Sequence, residues 1–298
     1  MKFQEITRLW LIYKSKVVKK TSLMRYEKIV SHYIVNKMGD KLMSELTLED
    51  VLELINWLGE LDLSQKTIQD IVVILKSILK YGKILGQDVI PIEAIPCPKI
   101  RQKEVEIFTF SDIASLKTFL ERHTSPKNLG IYICIYTGIR LGELCALRWE
   151  DINLSERSIV INKTLQRITV NKKSYIEIGQ PKTPNSNRKV PISDELYDLL
   201  SDETIDKKGY ILTNKDKYLD PRTMQYYFKK ILIQNNLKVH KFHALRHTFA
   251  TQCVLCNVDI KSLSEILGHT SVNITLNKYV HSSFEIKKQQ INLLSFNQ

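Results

Sequence analysis

From Met1 to about residue 85 the apolar positions recur at helical spacing and never alternate as a strand would. Phe3 to Lys16 carries one such stripe. A basic connector, Lys14 to Lys20, leads to Thr21, placed to cap a helix running towards Met38 with Gly39 as its stop. Thr47 with Asp50 three residues on has capping-box spacing and predicts a helix over Leu48 to Leu58. Ser64 opens a further helix whose buried face would be Ile68, Ile71, Val72, Leu75, Ile78 and Leu79, ending around Tyr81-Gly82. Helices on short loops predict a small bundle.

Between Gly86 and Phe108 the periodicity breaks. Pro91, Pro96 and Pro98 interrupt it, and a charged run from Lys99 to Glu104 follows. Residues 87–108 therefore read as a linker between a helical domain, 1–86, and a second domain, 109–298. In that domain Ser111 is placed to cap a helix, and an apolar helix from Leu129 to Tyr136 runs into a turn at Gly138. Ile159, Ile161, Tyr175, Ile176 and Ile178 mark strands around Asn171-Lys172-Lys173. Pro181 to Pro191 reads as a polar loop, and everything after Ser193 as helix except Asp206 to Asp220.

A length of 298 residues suits two domains, and 43% hydrophobic residues suffices for a core in each. The net charge of +12, shared by both sides of the linker, points to a polyanionic partner, above all nucleic acid. No apolar run reaches the roughly 20 residues of a membrane span, and the amino terminus lacks a secretory cleavage pattern. Five scattered cysteines suit a reduced cytosol. Cys253 and Cys256 read as buried helix cysteines, not a metal or redox pair.

The chemistry is concentrated in a few polar positions. Arg140 follows Thr137-Gly138 at a predicted helix start, and Glu143 three residues on would hold its guanidinium. His243 and Arg246, also three apart, share one helical face, while His247 lies further round and is expected to point elsewhere. His243 and His247 have the spacing of a metal pair, but Ala244 stands where a His-Glu-x-x-His helix has glutamate, and a guanidinium between ligands would repel a cation. Gly268 reads as the glycine ending a helix over 262–267, with His269 on the turn beyond and Tyr279 ten residues later. A phenol is a poor nucleophile at neutral pH. Beside two arginines and a proton acceptor it becomes a candidate for attacking a phosphodiester without a metal.

The ordered set Thr137-Gly138-Ile139-Arg140-Leu141-Gly142-Glu143, His243-Ala244-Leu245-Arg246, Leu267-Gly268-His269 and Tyr279 resembles the tyrosine recombinase (phage integrase) family. The likeness is to its two-domain Xer-like members. The resemblance adds Lys182, in Gln180-Pro181-Lys182-Thr183-Pro184, as the family's hairpin lysine; Lys172, Lys173 and Lys189 are nearby competitors. It implies a mainly α fold with a small β-sheet: an amino-terminal helical core-binding (SAM-like) bundle, then an α+β catalytic domain closing round double-stranded DNA. It further implies Arg140, Lys182, His243, Arg246, His269 and Tyr279 as catalytic residues, with no cofactor and no metal. The implied product of Tyr279 attack is a 3′-phosphotyrosine link and a free 5′-hydroxyl. Two rounds of strand exchange on paired sites imply a homo-tetramer on DNA in a bacterial cytoplasm, at the nucleoid. The apolar tail, Phe284 to Phe296, would dock on its own domain or on a neighbouring subunit. Because the bundle begins almost at Met1, an additional arm-binding domain is expected to be absent. Two other readings stand beside recombination: a topoisomerase IB-like DNA-relaxing enzyme, and a non-catalytic DNA-binding factor of the same fold. A metal-dependent nuclease is a third.

Overall fold

The computed structural model of the chain describes residues 1–98, 105–170, 173–179 and 187–279. The chain divides into two compact units, Met1–Lys103 and Glu104–Gln298.

In the first unit, α1 (Phe3–Val17), α2 (Lys20–Ile29), α3 (Val35–Met38), α4 (Leu48–Glu60) and α5 (Gln65–Ile84) surround an apolar core. Phe3, Ile6 and Trp10 of α1 meet Val51, Leu54 and Leu58 of α4 and Ile71, Leu75 and Ile78 of α5 in that core, each almost fully buried. The Trp10 indole donates to Ser77 Oγ at 3.1 Å, so this bulky side chain leaves no orphaned N–H. Thr47 opens α4 as a reciprocal cap with Asp50, and Ser64 caps α5 by accepting from Thr67 N.

Three local expectations are corrected. Lys19, not Thr21, precedes α2, and a π-helical turn, Val30–Ile34, divides α2 from α3. Gly39 does follow Met38 as the stop expected there, but with a right-handed φ of −58° in place of a left-handed cap; a side chain there would strike Val35 O at 2.6 Å. The long helix α5 continues past Gly82 to Ile84. Its left-handed residue is Gly86, and Gln87 N returns to Gly82 O in a Schellman closure. Gly82 is used for packing instead, since a Cβ there would meet Met43 Cε at 2.6 Å.

The second unit runs α6 (Phe110–Arg122), α7 (Pro126–Thr137), α8 (Leu141–Ala146), β1 (Ile152–Asn153), β2 (Ser158–Ile161), β3 (Thr164–Val170), β4 (Lys173–Gly179), β5 (Arg188–Pro191), α9 (Asp194–Ser201), α10 (Pro221–Gln234), α11 (His243–Leu255), α12 (Ile260–Leu267) and α13 (Val272–Tyr279). Thr109, not Ser111, caps α6: it exchanges bonds with Asp112, whose three-residue spacing closes the box. β1, β2 and β5 form an antiparallel sheet in that order, while β3 and β4 pair separately, with Leu165 opposite Ile178 and Arg167 opposite Ile176. The fold is thus mainly helical with small antiparallel sheets, as the sequence implied.

Helix α8 lies against β3. Gly142 makes this possible, because a Cβ there would sit 2.7 Å from Leu165 O. Cys253 is half-buried and Cys256 exposed at the end of α11, which corrects the reading of both as buried. No helix among the described residues is long and apolar enough to cross a membrane.

Candidate active site

Three consecutive carbonyls at the end of α12 organise three arginines drawn from distant parts of the second unit. Arg188 Nε donates to Ile266 O at 2.6 Å, Arg246 Nη2 to Leu267 O at 2.6 Å, and Arg140 Nη2 to Gly268 O at 3.1 Å. The last carbonyls of a helix have no partner within it and carry the negative end of its dipole, so they favour cations. Gly268 turns the chain away at a φ of 64°, the left-handed helix stop expected there.

Each guanidinium is held a second time. Arg246, on the buried face of α11, donates through Nη1 to Gly138 O at 2.9 Å, across the left-handed turn that closes α7. Arg140 precedes α8 and donates to Glu143 Oε1 at 2.8 Å, while its own N–H goes to Glu143 Oε2 at 2.9 Å. Arg188 approaches the same carboxylate from β5, with Nη1 at 3.2 Å from Oε1 and Nη2 at 2.9 Å from Oε2.

Burial by itself would raise the Glu143 carboxyl, but hydrogen bonds from Arg188 and the charges of Arg188 and Arg140 outweigh it and hold the pKa below its ordinary value. Arg246, only 2% exposed, is pushed down by burial first and by Arg140 next. Its guanidinium still stays protonated at neutral pH. Arg140 remains half-open to solvent, which leaves it able to meet a ligand.

Tyr279 closes the site from α13. Its ring is 6% exposed and packs with Ala250, Leu263 and Leu267. The hydroxyl lies 2.8 Å from His247 Nδ1, and the ring runs nearly parallel to that of His269, 6° apart in plane at a centroid separation of 6.4 Å. Burial raises the phenol pKa, against the lowering effect of Arg246 and Arg140. His269 Nδ1 is 2.8 Å from the hydroxyl of buried Thr275, one helical turn before Tyr279. The His243 and His247 rings meet edge to face at 4.5 Å.

All three imidazoles are neutral at ordinary pH. Burial comes first in each case, then positive neighbours: His243 is lowered to about 4 by Arg246, Lys278 and Arg140, and His269 to about 4 by Arg246 and Arg140. His247 falls to about 3, beside Lys278 and His243. His243 has much of its surface in water, which screens part of its shift.

Arg140, His243, Arg246, His269 and Tyr279, spread over 140 residues of sequence, therefore share one neighbourhood, and Glu143 holds Arg140 as its spacing suggested. Lys182 and the tail Phe284 to Phe296 lie outside the described residues. One expectation fails: His247 does not point elsewhere but reaches Tyr279, because the i, i+4 spacing that suggested a metal pair also sets it on the His243 face. No cluster suited to a metal occurs among the described residues.

Arg188 is the residue the sequence reading missed. A signal for it existed: strand alternation places Arg188 on the face of buried Val190, and an arginine facing a core needs a buried anion.

Comparison with known proteins places the chain in a family. A family model described as the phage integrase family matches residues 106–285. The chain is 28% identical to a "tyrosine recombinase XerC-like" protein of Caldanaerobacter subterraneus subsp. tengcongensis, over 97% of this chain and 82% of that one. It is 30% identical to the transposase from transposon Tn916 of Enterococcus faecalis, over 54% of this chain and 44% of the relative. Among solved structures, the Tn1549 transposon integrase (residues 82–397) in complex with a circular-intermediate DNA has the same fold. The TM-score is 0.79, at 22% identity, covering 99% of this chain and all of that one.

Proposed function

The chain belongs to the phage integrase family and is a tyrosine-type site-specific recombinase; we propose that Tyr279 is its nucleophile, and that it cuts and rejoins double-stranded DNA through a 3′-phosphotyrosine link. The observation that carries this reading is the Tyr279 hydroxyl 2.8 Å from His247 Nδ1 on α11, the helix that also carries Arg246, with Arg246 and Arg140 both anchored on the end of α12 and their charge reaching the phenol. A phosphodiester resists attack because its oxygens are negative and its transition state more so. Two guanidiniums fixed in advance stabilise that charge without reorganising as it develops.

In the proposed step the Tyr279 oxygen bonds to phosphorus as the bond from phosphorus to the 5′-oxygen breaks. Lys182, outside the described residues, protonates the departing oxygen. The 5′-hydroxyl of a partner duplex then attacks the phosphotyrosine and reseals the strand. The covalent link conserves the bond energy, so neither ATP nor a metal ion enters the sequence. His243 and His269 serve the non-bridging oxygens as neutral donors.

Exchange of both strands between two sites uses four protomers on DNA, and the apolar tail from Phe284 to Phe296 is suited to docking between them. A lambda integrase with the same fold, at a TM-score of 0.67 and 18% identity over 96% of this chain and 81% of that one, has been solved as a tetramer on a Holliday junction. The net charge of +12 suits a DNA-binding chain.

The test uses the full chain, EDTA and a pool of nicked duplexes of random sequence. Denatured protein is recovered with any DNA attached, and that DNA is sequenced. Expected is a covalent adduct on a defined site, lost in Tyr279→Phe with duplex binding retained. An adduct persisting in Y279F overturns the assignment.

A further inference from the structure

The proposed reaction leaves one proton without a destination: that of the phenol. Tyr279 is buried and its pKa raised, so the hydroxyl arrives protonated. His247 is the group it meets, at 2.8 Å through Nδ1, and the family motifs that marked the other residues gave this one no role. Resting on the reading of Tyr279 as nucleophile, we propose that His247 is the proton acceptor for Tyr279, a further catalytic residue of the reaction.

The proposed transfer sets the direction of the bond, with Tyr279 O–H donating to His247 Nδ1. A neutral imidazole has one donor and one acceptor nitrogen; in the tautomer the transfer requires, Nδ1 accepts from the phenol and Nε2 carries the hydrogen. Helix α11 supplies His247 and α13 supplies Tyr279, and the shared packing of Ala250, Leu263 and Leu267 against Tyr279 fixes the contact. The groups facing His247 are His243 and Arg246 from its own helix, His269 beyond α12, and Lys278 and Tyr279 from α13.

Apart from the phenol, these neighbours either carry positive charge or would gain it on protonation, so without DNA they keep His247 neutral and ready to accept. A phosphodiester bound at Arg140 and Arg246 brings negative charge to the same place and makes an imidazolium easier to form. As the Tyr279 oxygen bonds to phosphorus, its proton moves to His247 Nδ1. The bond from phosphorus to the 5′-oxygen breaks, and that oxygen takes a proton from the acid assigned to Lys182. On resealing, the incoming 5′-hydroxyl attacks, the tyrosine oxygen leaves, and His247 returns its proton.

The experiment uses the full chain and the duplex recovered by adduct sequencing, made with either oxygen or a bridging 5′-sulfur at the scissile position. A sulfur leaving group needs no proton, so it relieves a defect in the acid and not one in the acceptor. His247→Asn keeps a hydrogen-bond acceptor near the Nδ1 position but is not basic. Expected are normal duplex binding and cleavage slowed by about 100-fold or more on both duplexes, whereas Lys182→Ala recovers on the sulfur duplex. Cleavage by H247N within threefold of the unsubstituted chain overturns the proposal, as does recovery on sulfur.

Should H247N fail to bind or fold, the unsubstituted chain supplies a second measurement. On the sulfur duplex, a solvent deuterium isotope effect on adduct formation is expected from phenol proton transfer, and its absence overturns the proposal. Persistence of adduct in Y279F would remove the underlying reading instead, so the two failures are distinguishable.

Discussion

Arg188 and Glu143, 45 positions apart in sequence, are joined by two hydrogen bonds of 3.2 and 2.9 Å with both side chains almost fully buried. The pair is a support for Arg140, which shares the same carboxylate. Without Arg188 the Glu143 carboxylate would lose its two-pronged partner inside the protein, and Arg140 would be drawn towards it and away from a phosphate.

Arg188→Ala is therefore expected to destabilise the second unit by about 3 kcal/mol, the lower range for breaking a buried ion pair while one partner remains. Urea denaturation of the full chain measures this. A loss below about 1 kcal/mol, the range of an exposed pair, contradicts the supporting role. Arg188→Lys would keep the charge but not the two-pronged geometry, and adduct formation should fall even where stability recovers.

Stability should decline on mild acidification. The folded-state pKa values of His269 and His247, about 4 and about 3, lie below the ordinary 6.5. Their contribution is fully present above pH 6.5 and is lost as pH falls towards those folded values, because the unfolded chain takes up protons that the folded chain refuses. Glu143 acts in the same direction below its ordinary 4.5. Denaturation midpoints measured from pH 7 to pH 4 should fall, with a shallower fall in His247→Phe; an equal slope in that variant counts against the assignment.

Thr275→Val removes the hydroxyl 2.8 Å from His269 Nδ1 while keeping nearly the same volume. His269 would then lose one of the contacts that hold it beside the Tyr279 ring. Adduct formation is expected to slow by about 10- to 100-fold, as for a misplaced catalytic group, with a stability cost of about 1 kcal/mol. Single-turnover cleavage decides it, and an unchanged rate would show His269 orientation to be set elsewhere.

Gly138→Ala tests the turn that holds Arg246. The residue has a φ of 62°, and a Cβ would lie 2.4 Å from Phe249 Cδ1, so both backbone and packing oppose the change. Expected is a loss of at least about 1–2 kcal/mol from the left-handed conformation alone, together with slower cleavage as the Gly138 carbonyl shifts from Arg246. A neutral thermal shift would refute the tight packing.

Duplex binding should weaken steeply with salt, since a chain of net charge +12 displaces counterions from the phosphates. A plot of log affinity against log salt is expected to be linear with a negative slope. Salt-independent binding would point away from a phosphate-contacting surface.

The reading of the site from sequence succeeded where spacing along one element decides geometry. Glu143 meets Arg140 because three residues make most of a helical turn, and Gly268 ends α12 because a left-handed stop favours glycine. It faltered where one cap competes with another nearby, as Thr109 does with Ser111. It placed the helix stop at Gly39 correctly but not its reason, which is contact with Val35 and not a left-handed φ.

By itself the sequence determined the helical bundle, the order of the polar motifs and the face of α11 that presents them, since helical periodicity and capping act within a few residues. Only the tertiary structure decided that Arg246 spans from Gly138 to Leu267, that Arg188 completes the hold on Glu143, and that the Tyr279 hydroxyl meets His247. Those partners lie 21 to 108 residues apart. Such contacts depend on how α11, α12, α13 and β5 pack, and buried polar groups take whichever partner that packing brings within reach.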